Sequence, residues 1–342
     1  MTASPAAPQP TPERIFNTLN AYQQTAAMKT AIELNIFTVI GEGANQPAAI
    51  AARIGAAERG VRILCDYLAI LGFLIKEQNR YALTAESALF LDRRSPASMT
   101  SLIGFLGREE LTGRFQKLTE AVRKGGCATQ GGDNTEPQAE LWVAFARSMA
   151  PLMVPAAAFL AELLEARTGS PWKVLDIAAG HGMFGITLAR ANPRAQIVAL
   201  DWEPVLEVAR ENARAAGLAD RYTLRPGSAF ETEMGEGYDI VLLTNFLHHF
   251  DPETCEKVLR RVHAALRPGG RAVTLEFIPN EDRVSPPTPA AFSLIMLAET
   301  DAGDAYTASE LECMFENTGF RNSTLHSVPG MPQRVMVSEK AS

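Results

Sequence analysis

Cysteine is scarce in this chain of 342 residues, and the four present (Cys65, Cys127, Cys255 and Cys313) lie far apart. Neither a disulfide framework nor a zinc-ligand spacing can be built from them, and no metal is expected. Positive charge is also in deficit: 32 lysines and arginines face 39 acids, a net charge of −7. Nucleic acid and anionic membranes are poor partners for such a chain. No apolar run is expected to approach the roughly 20 residues that span a bilayer. The Ala/Pro-rich start, Met1 to Pro12, lacks the basic beginning and apolar centre of a secretory signal, and reads as a disordered arm. A soluble, reduced, cytoplasmic protein is the plain expectation.

The most informative stretch that is present runs from Val174 to Gly185. An apolar strand carries Asp176 near its end, breaks into Gly180, Gly182 and Gly185, and continues as a helical pattern. Glycines there let a ligand approach the backbone, and the following helix presents unpaired N–H groups. The spacing Gly-x-Gly-x-x-Gly also matches a dinucleotide fingerprint. A pyrophosphate, however, would be repelled by a carboxylate four residues before the first glycine. S-adenosylmethionine (SAM), with an ammonium and a sulfonium and no phosphate, suits Asp176 better. Asp201, about 20 residues past the glycines, is placed to hold ribose hydroxyls in either class of cofactor. Trp202 beside it is a further cofactor candidate.

Along the chain, residues 13–110 read as short helices ending in a hairpin. Ala26, Ala27, Ala31, Leu34 and Phe37 give one apolar face, Pro47 opens a second helix, and Glu58 to Leu71 forms a third. The runs Phe73–Ile75 and Arg80–Leu83 flank a turn at Glu77-Gln78-Asn79. This is a winged-helix pattern, but its third helix is mixed in charge, which favours dimerisation over DNA binding. Residues 111–167 read as a helical connector that contributes to a substrate pocket. Its polar loop spans Lys124 to Glu136, and its long helix, Glu140 to Ala166, is expected to kink or break at Pro151 and Pro155. From 168 to 342 strands and helices alternate, with strands over Lys173–Ile177, Gln196–Leu200, Tyr222–Arg225, Ile240–Thr244 and Arg271–Ile278. Arg267–Gly270 reads as a turn into the last of these, and a terminal hairpin follows. The expected class is α/β, a doubly wound, mostly parallel, Rossmann-like sheet preceded by a helical winged-helix-type domain.

Ligands of such sheets bind beyond the carboxyl ends of the strands. Asn245, His248 and His249 follow the fourth strand, just before Asp251-Pro252, which caps a helix. His248, pinned between strand end and helix start, is the candidate general base. Glu276 is a lone acid in an apolar run, and a buried carboxylate needs a partner. It either orients a histidine or pairs with an arginine such as Arg283. Ser228, Ala229 and Phe230 follow the third strand, where Phe230 either stacks on an adenine or packs in the core. Phe145, Met149, Met153, His249, Phe292 and Met296 are candidate walls of a flat apolar pocket.

Taken in order, these features resemble the class I SAM-dependent O-methyltransferases of the plant caffeate and hydroxyindole type, bacterial relatives included. The resemblance covers nearly the whole chain. It implies a homodimer built on the N-terminal domain, whose helices help close the partner's substrate pocket. It implies that Leu247–Asp251 stands where the family has His-Asp-Trp, so that His248 is the base and His249 and Phe250 replace the Asp and Trp. The family's acid on the fifth strand falls on Glu276. Its second acid falls on Ala305, with Asp304 adjacent but out of register. Its Gly-Asp-Met-Phe adenine loop appears as Gly227–Phe230 without the acid. The activity implied is methyl transfer from SAM, leaving S-adenosylhomocysteine, to a hydroxyl of a small aromatic acceptor. A phenol, of pKa about 10, is within reach of a neutral imidazole. Transfer to carbon or nitrogen on the same fold, a SAM-sensing regulator, and an NAD-dependent oxidoreductase are the alternatives.

Overall fold

The structure is a computed structural model and describes residues 10–129 and 139–342. Most of the arm expected over 1–12, and the part of the polar loop from 130 to 136, lie outside the described residues. The chain divides into two compact units between Ile103 and Gly104, so 111–167 belongs to the second.

In the first unit, helices Glu13–Leu19, Tyr22–Glu33, Ile36–Gly41, Pro47–Ile54 and Glu58–Ile70 precede a two-stranded hairpin, β1 (Leu74–Glu77) and β2 (Arg80–Leu83). The unit is therefore helical with one small sheet, the hairpin expected from the sequence. Glu77 pairs with Arg80, which leaves Gln78 and Asn79 as the turn, with Gln78 at φ +54°. Ile36, Phe37, Ile50, Val61, Leu68 and Tyr81 close one apolar core. Of the apolar face expected on the second helix, Ala31 is buried but Ala26 is exposed.

The second unit is built on a seven-stranded sheet of order β5-β4-β3-β6-β7-β9-β8. Its strands are β3 (Lys173–Ile177), β4 (Gln196–Asp201), β5 (Tyr222–Pro226), β6 (Tyr238–Thr244), β7 (Leu266–Glu276), β8 (Phe320–Ser327) and β9 (Arg334–Lys340). The first five of these run parallel and β9 is antiparallel to both β7 and β8. Side chains alternate between two buried faces, as a doubly covered sheet requires. Val174, Ile197, Ile240 and Val273 pack toward the helices Ala139–Leu163, Met183–Ala191 and Glu203–Ala215. Leu175, Val198, Val241 and Ala272 pack on the other face, toward Pro252–Ala265 and Ala308–Asn317. Asp251 caps one of these helices through the Thr254 N–H at 3.0 Å, and Thr307 and Glu310 form a capping box on the other.

Three expectations are corrected. Arg267–Gly270 is not a turn ahead of the strand but a bulge inside β7: Leu266 pairs with Tyr238 and Arg271 with Ile240, so the intervening residues loop out of register. The helix Ala139–Leu163 runs unbroken through Pro151 and Pro155. Each proline frees the carbonyl four residues earlier, those of Arg147 and Pro151. Arg147, Pro151 and Pro155 all lie on the exposed face, where water can take the missing N–H's place. Finally, Glu140–Leu163 is long and apolar enough to cross a membrane by length and composition. Its apolarity serves the core instead, with Met153, Ala156, Ala157 and Leu160 buried against the sheet.

Candidate active site

The parallel strands end on one rim, and the connections leaving β3, β4, β5 and β6 enclose a cavity of about 430 Å³. The loop after β3 turns through Ala178, Gly180 and Gly182, all at positive φ. Gly180 lines the cavity, and a Cβ there would meet nothing nearer than the Ala178 carbonyl at 3.8 Å. The space above it is open to a ligand. Gly182 was expected in the same role and is not in the cavity wall. A Cβ on it would stand 2.6 Å from Tyr222 Oη and 3.1 Å from Ala209 Cβ, so this glycine lets the loop pack down on its own domain.

Asp176 also departs from expectation. It is fully buried beneath the loop rather than in the cavity wall. Its Oδ2 accepts the Gly185 N–H at 3.2 Å, while Oδ1 has no hydrogen-bond partner among the described residues. Burial, with Asp201 adding to it, pushes this carboxyl up to about 7. Asp201, at the end of β4, does line the cavity. It accepts the Gly180 N–H at 2.8 Å and the Trp202 N–H at 2.7 Å, and burial raises it to about 6. The carboxylate braces the glycine loop and retains lone pairs toward the cavity. Trp202, Ser228, Ala229, Phe230 and Asn245 line the same space. Phe230 belongs to an aromatic cluster, 4.9 Å from Phe250 and 6.3 Å from Phe246. An open glycine, a carboxylate at the second strand and an aromatic wall at the third are the partners that SAM needs for its backbone, ribose and adenine contacts, and no lysine or arginine stands among the described residues that line the cavity.

The register of β6 and β7 builds the other end. Thr244 pairs with Leu275, so the turn after β6 passes directly over Glu276, the last residue of β7. Glu276 Oε1 accepts the N–H groups of Phe246 at 2.9 Å and Leu247 at 2.8 Å. Its Oε2 lies 2.5 Å from His248 Nδ1, both side chains being buried. A carboxylate only accepts, so the ring proton stays on Nδ1 and the Nε2 lone pair is left for the cavity that His248 lines. Arg283 does not compete for Glu276, since it pairs with Asp304 at 3.1 Å and with Glu310. Asp304 lies outside the cavity wall and Ala305 is buried.

Phe145, Met149, Met153, His249, Phe292 and Met296 all line the cavity. The Phe292 ring stands 4.9 Å from His248 and stacks on Phe277 at 4.0 Å. His249 lies 4.3 Å from His248 and 5.4 Å from Trp142, ring to ring. Burial and the neighbouring His248 push its imidazolium well below the usual histidine range, so it is neutral at pH 7. Sequence reasoning missed Phe105, Leu111, Thr112 and Phe115, which come from helices with no motif to mark them. Trp142 shares the helical stripe of Phe145, Met149 and Met153, while Phe246, Glu299 and His181 were missed. Only His181, framed by two loop glycines, carried a signal.

Comparison with known proteins agrees with this arrangement. The sequence profile of an O-methyltransferase domain matches residues 160–321, and that of an O-methyltransferase dimerisation domain matches 16–93. The chain is similar to a solved candidate O-methyltransferase from Nostoc punctiforme PCC 73102, with 49% identity, a TM-score of 0.93, and coverage of 97% of this chain and 100% of that one. It is 28% identical over 330 residues to the L-tyrosine C(3)-methyltransferase of Streptomyces lavendulae, covering 92% of this chain and 88% of the relative. It is 27% identical over 321 residues to the mitomycin biosynthesis 6-O-methyltransferase of the same organism, covering 90% and 89%.

Proposed function

The chain belongs to the O-methyltransferase family, and on that footing we propose that it methylates a phenolic hydroxyl of a small aromatic acceptor, with His248 as general base. It is a methyltransferase, and its cofactor is SAM. When bound, SAM supplies an electrophilic methyl group on a sulfonium. The residues of this chain have the remaining work. Phe145, Met149, Met153 and Phe292 hold a flat apolar acceptor and keep water from the reacting centre. His248 Nε2 takes the hydroxyl proton, and Glu276, 2.5 Å from Nδ1, fixes the ring's tautomer and steadies the imidazolium that forms. Gly180, Asp201 and Trp202 are assigned to the cofactor, with Ser228, Ala229 and Phe230 on the adenine side. Asn245, whose Nδ2 lies 3.6 Å from the Met153 sulfur, is also assigned to the cofactor.

The observation that carries this reading is the buried His248–Glu276 pair opening into an aromatic cavity. A base of this kind is worth about 10²–10⁴ in rate. His248→Ala is therefore expected to lose about 10²–10⁴ in kcat while titrating normally with S-adenosylhomocysteine. Unchanged turnover on a phenol would remove His248 from the role. The similarity to a tyrosine C(3)-methyltransferase supports a second reading. Loss of the phenolic proton also enriches the ortho carbon in electrons, so the same base could direct the methyl there. NMR of the product separates an O-methyl from a C-methyl group.

Dimerisation is proposed through the first helix and the start of the second. Ile15, Phe16, Leu19 and Tyr22 are exposed at 64%, 60%, 69% and 68%, a concentration of apolar surface at one end of a unit that matches a dimerisation domain.

A further inference from the structure

His181 stands between Gly180 and Gly182, is only 4% exposed, and lines the cavity. Its Nδ1 accepts the Met183 N–H at 3.1 Å. A backbone amide can only donate, so Nδ1 is bare and the ring proton is on Nε2. Burial lowers the imidazolium to about 4, which leaves the ring neutral at pH 7. The residue is also held from behind, where Asn212 Nδ2 donates to its carbonyl at 2.9 Å. The Nε2–H has no hydrogen-bond partner among the described residues. The Nε2 atom is not one of the wholly buried unpartnered atoms, so this N–H opens on accessible space where a ligand can meet it.

The nearby helix terminus keeps only one of its first three amides, that of Phe184, for a ligand. In the first turn of Met183–Ala191, the Met183 amide is taken by His181 and the Gly185 amide by Asp176. The imidazole thus removes a backbone donor at one nitrogen and presents another at the far side of the ring. Strand order fixes where the loop that carries His181 lies. β3 is flanked by β4 and β6, so its loop lies between Asp201 at one strand end and His248 beyond the other. A cofactor with its ribose at Asp201 and its methyl directed toward His248 has its amino-acid arm over the β3 loop. That arm carries an ammonium and a carboxylate, and a neutral N–H donor suits only the carboxylate.

We propose that His181 holds the carboxylate of SAM's amino-acid arm through Nε2–H, as a cofactor-positioning residue. The assignment rests on the proposed function's cofactor placement, with the methyl directed toward His248, and is independent of which acceptor is used. Calorimetric titration of the full chain tests it, with S-adenosylhomocysteine against 5′-methylthioadenosine, which keeps the adenine, ribose and sulfur but lacks the amino-acid arm. His181→Asn keeps an acceptor where Nδ1 stood and removes the far donor. It is expected to weaken S-adenosylhomocysteine by about 10–100-fold and to leave methylthioadenosine within about twofold. His181→Gln, whose amide reaches the place of Nε2, is expected to recover most of the loss. Should His181→Asn fail to fold, His181→Phe fills the ring volume without either nitrogen and repeats the comparison. Equal weakening of both ligands would reduce His181 to a loop-shaping residue, and undiminished S-adenosylhomocysteine affinity would remove it from the site.

Discussion

Asp176 is the residue on which cofactor chemistry and folding pull against each other. Its carboxyl is fully buried, with one oxygen bonded to the Gly185 N–H and the other without a hydrogen-bond partner among the described residues. Its pKa rises from an ordinary 3.8 to about 7 on folding. Between those values the folded chain binds a proton that the unfolded chain releases, so this group's contribution is complete below pH 3.8 and is lost as pH rises through about 7. Asp176→Asn keeps an acceptor for Gly185 and cannot ionise. The stability of the wild type relative to this variant is expected to fall steadily between those pH values, read from urea denaturation at each pH. A difference that stays flat would mean that Asp176 is not held protonated. Acids that do not touch this pair cancel in the subtraction, which reports Asp176 together with its coupling to Asp201. The same residue shows how position can mislead. Four residues ahead of the glycines, it reads from sequence as a cofactor ligand, yet the strand end delivers it beneath the loop and not above it.

At the scale of elements, the helix Ala139–Leu163 tests how much strain a long helix tolerates on its wet side. Pro151 and Pro155 each cost it a hydrogen bond, while Met149 and Met153, on the other face, line the cavity. Pro155→Ala restores the bond and relaxes the unfolded chain. The net gain is expected to be about 1–2 kcal/mol, read from denaturation midpoints, with kcat unchanged. A fall in kcat would mean that the proline sets the angle at which the methionines meet the acceptor. Elements of this kind divide what a sequence discloses from what it conceals. The strands of the sheet were legible because apolar runs alternate with helical patterns, and His248 and Glu276 because polar groups at strand ends are rare enough to notice. The expected parallel sheet and terminal hairpin are both present. The bulge at Arg267–Gly270 was not legible, since Pro-Gly-Gly looks the same whether it precedes a strand or interrupts one. Gly182 was misread because spacing cannot say which glycine faces a ligand and which faces Tyr222. Phe105, Leu111 and Phe115 were invisible because apolar helix positions that wall a cavity look like those that fill a core.

For the whole molecule, assembly and folding are the open physical questions. If the apolar residues at 15, 16, 19 and 22 are a shared interface, sedimentation equilibrium should give about twice the 37.0 kDa of one chain. Phe16→Ser with Leu19→Ser should then shift the mass toward a single chain, and a wild type that is already single at micromolar concentration would dismiss the interface. The net charge of −7 opposes close approach of two copies, so added salt should favour the larger species. The order of strands carries a consequence for how the protein is made. β7 bears Glu276 and pairs along one side with β6, but its other side is covered by β9, which begins at Arg334. A ribosome therefore finishes the strand that bears Glu276 and then synthesises residues 277–333 while that edge has nothing to pair with. During that interval the nascent chain displays an open, Val- and Leu-bearing strand, and slow translation or a crowded polysome would lengthen its exposure to neighbouring chains.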